Sequence, residues 1–307
     1  MLRSISRACA LAPRAGFAEH RADTPDPRAH DVAYPFTAII SDLHGNVPAL
    51  ETALADARRR RAERFVCLGD VVGYGAKPAE CLEWVMALCV PGAVDPEAAR
   101  SNGAAPLADG LCLLGNHEYA LLHTAEDFNP KARAAIEWTR DALNAATDPD
   151  RGLAYWDFLD ALEPVARDEV AMFAHGSPRD PVREYMLPRD IKNAEKMRAN
   201  FERMDRNVCF VGHSHVPGIY YEDGSFYRPR GTEGPYALGD LSGNRAIVNV
   251  GSVGQPRDGD NRLSYVLFTG EELTFVRLAY DHEAAAAEIR AVPELPDFLA
   301  DRLAVGR

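Results

Sequence analysis

The sequence predicts an α/β fold in which two β-sheets pack together with helices outside them. Three observations carry this. From Thr37 to Leu114, short apolar runs alternate with helix-patterned stretches, the rhythm of crossover units. After residue 170 the pattern turns β-rich, with one helical stretch around residues 190–203. Polar residues able to do chemistry recur directly after the strand-like runs, where α/β sheets gather their ligands.

The elements follow in order. TAII, from Thr37, is a short buried strand that stops at Ser41-Asp42. The next segment places Leu50, Ala53, Leu54 and Ala57 at helical spacing. FVCL (65–68) reads as a second strand and AECLEWVMALC (79–89) as a second helix. Residues 91–110 are rich in Gly, Pro, Ala and Asp and read as a loop. LCLL (111–114) is a third strand, and residues 130–146 form a third helix with Ile136 and Leu143 on one face. VAMFAH (170–175), VCFVGH (208–213), AIVNVG (246–251), LSYVLF (263–268) and LTFVRLAY (273–280) read as strands, the last two joined by a hairpin at residues 269–272. No internal repeat or low-complexity tract interrupts the pattern.

Composition narrows the function. The chain has 307 residues, 47% hydrophobic and 26% charged, which is enough for a sizeable core and argues against wholesale disorder. Asp plus Glu (46) exceeds Lys plus Arg (34), giving a net charge of −12. Such a chain is poorly suited to hold nucleic acid by neutralising phosphates. To act on an anion it needs a local source of positive charge, and a metal is the obvious one. Cys9, Cys67, Cys81, Cys89, Cys112 and Cys209 form no CxxC pair, and several lie in apolar runs as buried thiols. A reducing, cytoplasmic setting is the expectation, and no apolar run has the length of a membrane span. The first seventeen residues carry three arginines and no acid. They fit either an organellar presequence or a disordered lead-in over residues 1–34, and we take the second reading.

Five groups close predicted strands: Asp42 and His44 in SDLHGN, Asp70 in LGDVVGYG, Asn116 and His117 in LLGNHEY, His175 in FAHG, and His213 and His215 in FVGHSH. The mixture of carboxylate, imidazole and amide oxygen suits Mn, Fe, Zn or Co better than Ca or Mg. Residues two apart in an extended segment face the same side, so Asp42 with His44, and His213 with His215, are expected to aim together. Five of the nine histidines fall in these groups; His20, His30, His123 and His282 do not.

In this order, DLHGN, GDVVGYG, GNHE, AHG and GHSH resemble the calcineurin-like metallophosphoesterase family. The likeness is greatest to its bacterial and archaeal branch of small phosphodiesterase-like proteins, through GDVVGYG and the late NVGSVGQPRDG loop (249–259). The resemblance runs from about Ala38 to Tyr280. It implies a four-layer α/β/β/α sandwich over residues 35–282, followed by a helical segment over 283–307. It also implies two divalent ions, Mn²⁺ or Fe²⁺ with Zn²⁺, Co²⁺ or Ni²⁺ as alternatives. One ion would take Asp42, His44, Asp70 and His215, and the other Asp70, Asn116, His175 and His213. A hydroxide bridging them would attack the phosphorus. Two divalent ions against two carboxylates and a hydroxide leave net positive charge for a phosphoryl oxygen. His117 would be catalytic, turned to the open side of the pocket by its neighbour's inward placement.

The stretches 90–110 and 222–245 are longer than is usual in that branch and can reshape the pocket. Tyr74 is a candidate for substrate binding or for loop packing. Arg257 is a candidate phosphate fork or a partner in a salt bridge that shapes its loop. The run Arg58–Arg61 reads as a solvated face at a helix end. The protein-phosphatase branch carries GDxVDRG and RGNHE, whereas here Gly73-Tyr74 and Leu114 stand in place of the arginine-bearing positions. A small phosphodiester or nucleotide-type substrate is therefore expected, rather than nucleic acid or a membrane. The alternatives are a protein Ser/Thr-type phosphomonoesterase and a non-catalytic, partner-binding scaffold.

Overall fold

Apolar alternation along the strands builds the architecture. In the computed structural model, which describes residues 34–89, 110–146, 148–238 and 244–307, β1 (Thr37–Ile40) is buried at every position. Ala38 and Ile40 point into a core shared with helices, and Ile39 points into a second core between two sheets. In β6 (Val208–Val211), Val208 and Phe210 face that second core, while Cys209 and Val211 face a third. Burial on both faces is why these strands read as continuous apolar runs.

The strands form two six-stranded mixed sheets. The first runs β3 (Leu111–Cys112), β2 (Arg64–Cys67), β1, β11 (Leu263–Phe268), β12 (Glu272–Leu278) and β9 (Glu233–Ala237). The second runs β4 (Val165–Arg167), β5 (Ala171–Ala174), β6, β10 (Ala246–Asn249), β7 (Gly218–Tyr221) and β8 (Phe226–Tyr227). In the first, β1, β2 and β3 are parallel; in the second, β5, β6 and β10 are. Their carboxyl ends supply the five polar groups.

Helix α1 (Val47–Arg59) starts where Asn46 accepts from the Ala49 N–H (3.2 Å) and a proline sits in the first turn. Its Ala49, Leu50, Ala53, Leu54 and Ala57 are buried against the first sheet. Helices α2 (Pro78–Cys89), α4 (Pro130–Asn144), α7 (His282–Arg290) and α8 (Asp297–Val305) contribute to the same core, so the C-terminal helical stretch belongs to one compact unit with the rest of residues 34–307. On the other side, Met197 and Phe201 of α6 (Ala194–Phe201) cover the second sheet. The fold is thus helices, sheet, sheet, helix. No helix among the described residues is long and apolar enough to cross a membrane.

Several elements differ from expectation. Two helices have no counterpart in the sequence pattern: α3 (Asn116–Leu122) begins at the asparagine of GNHEYALL, and α5 (Pro149–Asp160) follows α4. Residues 222–245, where described, give β8 and β9, one edge strand to each sheet, and Pro235 is tolerated in β9 because it lies at an edge. The arginine run is not merely solvated. Arg60 Nε donates to buried Asp56 Oδ2 (2.7 Å), Arg59 pairs with the other oxygen, and Asp56 Oδ2 also accepts from Tyr265 Oη (2.7 Å). Cys67, Cys81, Cys112 and Cys209 are buried free thiols. Cys9, the lead-in and most of the 90–110 loop lie outside the described residues.

Candidate metal centre

The five groups meet, drawn from both sheets. Asp42 and His44 follow β1, Asp70 follows β2, Asn116 opens α3 after β3, His175 follows β5, and His213 and His215 follow β6. One ligand atom each from Asp42, His44, Asp70 and His215 lies within 4.8 Å of the others, and the same holds for Asp70, His175 and His213. Asp70 belongs to both sets. Asn116 Oδ1 joins the second, 3.1 Å from His175 Nε2.

The paired ligands do aim together, but not by extended backbone. Asp42, His44, Asp70, His213 and His215 all have positive φ, between 49° and 62°. Left-handed conformations of this kind are sparsely populated and persist only when the surroundings over-determine them. Here the turns interlock. The Asp42 N–H donates to Gly69 O (3.0 Å), the His44 N–H to Asp70 O (3.0 Å), and the His213 N–H to Asp42 Oδ2 (3.0 Å). The His117 N–H donates to Asp70 Oδ1 (2.9 Å), an approach open because Gly115 has no Cβ to strike that oxygen.

The outer nitrogen of each of the four candidate ligand histidines contacts a main-chain carbonyl. His44 Nδ1 meets Val72 O (3.1 Å), His175 Nδ1 meets Leu68 O (3.0 Å), His213 Nε2 meets Arg183 O (3.1 Å), and His215 Nδ1 meets Gln255 O. A carbonyl only accepts, so these nitrogens carry the protons and the opposite nitrogens turn lone pairs to the centre. Those inward nitrogens crowd one another: His44 Nε2 is 3.2 Å from His215 Nε2, and His175 Nε2 is 3.1 Å from His213 Nδ1. Asp42 Oδ1, buried beside them, has no hydrogen-bond partner. Lone pairs and carboxylate oxygens converging in a dry site call for cations between them, so the donor set fits two metal ions.

Electrostatics agrees. Burial pushes Asp70 up, but the histidine charges around it, led by His175, hold it well below the usual carboxylate range. Burial pushes His44 well down, aided by His117. Burial depresses His175, but Asp70 outweighs it and leaves His175 at about 9, so without a cation its inward Nε2 holds a proton that a bound metal ion would displace.

His117 is outside both ligand sets. Its expected exposure is corrected: it is only 2% exposed, with the rings of Tyr74 (4.5 Å), His44 (4.8 Å) and Phe128 (5.2 Å) around it. Asn116 and His117 open a helix, where successive side chains diverge by roughly 100° instead of alternating as in a strand. His117 Nε2 points inward, 3.9 Å from Asp70 Oδ2, and its buried Nδ1 has no partner. A Cβ at Gly73 would collide with Nδ1, so GYG makes the space for this ring. Burial holds His117 at about 4, opposed by Asp70 and aided by Arg257.

Beside the centre opens a cavity of about 220 Å³ walled by Tyr74, Asn116, Tyr119, Phe128, Tyr185 and His213. Tyr185 stacks on His213 at 3.8 Å. None of residues 222–238 lines it. Sequence reasoning missed Tyr185, which carries no motif, and Glu118. The Glu118 carboxylate accepts from the N–H groups of Asp70 (2.8 Å), Val71 (2.8 Å), Val72 (3.2 Å) and Gly115 (3.0 Å), fastening two ligand-bearing turns together. Its position at the third residue of a helix, after a glycine, was the available signal.

The family model for calcineurin-like phosphoesterase matches residues 37–217. The chain belongs to the calcineurin-like phosphoesterase family. It is 32% identical over 276 residues to an uncharacterised protein of Methanocaldococcus jannaschii, covering 88% of this chain and 98% of that one. Among solved structures it is similar to a metallophosphoesterase from Sphaerobacter thermophilus (35% identity, 89% and 100% of the two chains, TM-score 0.69). A hypothetical protein from Pyrococcus horikoshii shares the fold (17% identity, 89% and 98% covered, TM-score 0.64). Membership in the calcineurin-like phosphoesterases accounts for the order of the five motifs and for the four-layer sandwich.

Proposed function

We propose that this phosphoesterase hydrolyses small phosphodiester or nucleotide-type phosphate esters, using two divalent ions, with Mn²⁺ or Fe²⁺ favoured. The observation that carries the reading is the convergence of unprotonated imidazole nitrogens and carboxylate oxygens into two sets that share Asp70. Metal ions so held would supply positive charge for the phosphoryl oxygens and acidify bound water. The chain's own residues do the rest. Asp70 ties the two sets together, and main-chain carbonyls fix each imidazole. His117, whose Nε2 faces the centre, would serve as proton donor to a departing alkoxide once an anionic phosphate beside it offsets the burial that otherwise keeps the ring neutral and favours its imidazolium. The aromatic cavity receives the organic part of the ester and shields it from water. Missing guanidinium groups at Gly73-Tyr74 and Leu114 disfavour a phosphoprotein substrate. The cavity's modest size favours a small soluble ester over nucleic acid or a lipid surface.

The test is hydrolysis of bis(p-nitrophenyl) phosphate and p-nitrophenyl phosphate by metal-reconstituted protein. Turnover that requires metal and favours the diester is expected. No turnover with Mn²⁺, Fe²⁺, Zn²⁺, Co²⁺ or Ni²⁺ would reject the reading.

A further inference from the structure

We propose that Arg257 and Arg302 form a second anion subsite beside the metal centre, one that takes an additional phosphoryl group, so that the preferred esters carry two phosphates. The position of the scissile phosphate in this inference rests on the phosphoesterase reading above. Tyr74 is the reference point. One side of its ring packs on the centre, 4.6 Å from the His44 ring and 4.5 Å from His117. The guanidinium carbons of Arg257 and Arg302 lie 5.5 Å and 6.0 Å from the same ring. Two cations therefore stand one aromatic ring away from the histidines.

Neither meets a carboxylate side chain among the described residues. Arg257 donates from Nε and Nη2 to the amide oxygen of Gln255 (3.2 and 2.7 Å), and Arg302 donates from Nε to the main-chain oxygen of Arg307. The salt bridge expected to shape this loop forms instead through the neighbouring Asp258, which pairs with buried Arg277. Arg257 is thereby left free of that duty. Most of the other described arginines have found acids, Arg60, Arg64, Arg179, Arg245 and Arg262 among them. Guanidinium groups held near one another with no acidic side chain between them repel each other. Burial and the charge of Arg257 bring Arg302 down to about 10. A dianionic phosphate between them relieves that repulsion and offers acceptors to two forks.

The two arms are also fixed relative to each other. The Gly259 N–H, on the loop that carries Arg257, donates to Gly306 O (3.0 Å) at the end of the helix that carries Arg302. The Arg257 N–H donates to His215 O (3.2 Å), anchoring the loop to a candidate metal ligand.

The experiment compares ligands that differ by one phosphate. Calorimetry measures binding of thymidine 3′,5′-bisphosphate and thymidine 5′-monophosphate to the metal-loaded protein. Turnover compares the p-nitrophenyl ester of thymidine 5′-phosphate with the same ester bearing a 3′-phosphate. The unmutated protein should prefer the doubly phosphorylated member of each pair by about tenfold or more, the scale of one good charge-assisted contact. Arg302→Gln should bring that preference down toward unity, and Arg302→Lys should keep part of it. No preference in the unmutated protein, or a preference that survives Arg302→Gln, would overturn the subsite. If neither ester turns over while the binding preference holds and depends on Arg302, the catalytic reading falls and the subsite stands.

Discussion

His117, the proposed proton donor, has the smallest support, since its ring is held by packing and its Nδ1 contacts no partner. An alkoxide leaves poorly and needs a proton, whereas a nitrophenolate does not. His117→Ala is therefore expected to keep its metals, lose about 10²–10⁴-fold in turnover of alkyl esters, and lose far less on nitrophenyl esters. Equal loss on both would leave His117 only a charge-stabilising role. Asp70 behaves differently, because it is shared. Asp70→Asn should deplete both ions, while His44→Ala should deplete mainly one, as read by elemental analysis. Equal depletion in the two variants would refute the shared carboxylate. The pairing of Asp42 with His44 was legible from spacing, but its cause was not. Left-handed φ at ligand positions is imposed by long-range hydrogen bonds, which leave no mark in a local pattern.

Among the elements, the segment after β5 sets the cavity wall. Glu184 accepts from Ser177 Oγ (2.7 Å), Asn200 Nδ2 (3.0 Å) and Arg179, and so braces the turn that carries Arg183 and Tyr185. Burial alone would raise its pKa, but these donors, Arg179 foremost, hold it at about 2, below its ordinary 4.5. A depressed carboxylate stabilises the fold fully above its unfolded pKa and loses that contribution as pH falls through its folded one. Metal-free protein should accordingly lose stability between about pH 4.5 and 2, and Glu184→Gln should flatten the loss in that window. Denaturant titrations across the window check this; an unchanged slope in the variant would exclude Glu184 as the cause. The strands flanking the site were legible because both faces are buried and their runs are unbroken. The edge strands β8 and β9 were not, since an edge tolerates proline and exposure and so lacks the pattern. Helix α3 was hidden because its first residues are also the metal motif. Arg302 follows no strand end, and only the folded chain brings it to Tyr74.

For the whole molecule, a net charge of −12 and two buried carboxylates at one centre would make bound cations part of stability as well as of the proposed chemistry. A ligand bound only by the folded state at a hundred times its Kd adds about 2.7 kcal/mol. Saturating metal should therefore raise Tm by several degrees, and a chelator should reverse the rise. A Tm indifferent to both would indicate that the cluster binds no metal in solution. The two-sheet sandwich makes this centre possible: the first sheet contributes Asp42, His44, Asp70 and Asn116, the second contributes His175, His213 and His215, and Asp70 stands where the two sets meet. The most direct test is anomalous diffraction from crystals of the Mn²⁺-loaded protein. Two peaks are expected on either side of the Asp70 carboxylate, about 3.5–4 Å apart as in two-metal sites. A single peak, or a pair that leaves Asp70 outside the coordination of either ion, would contradict the shared-carboxylate centre.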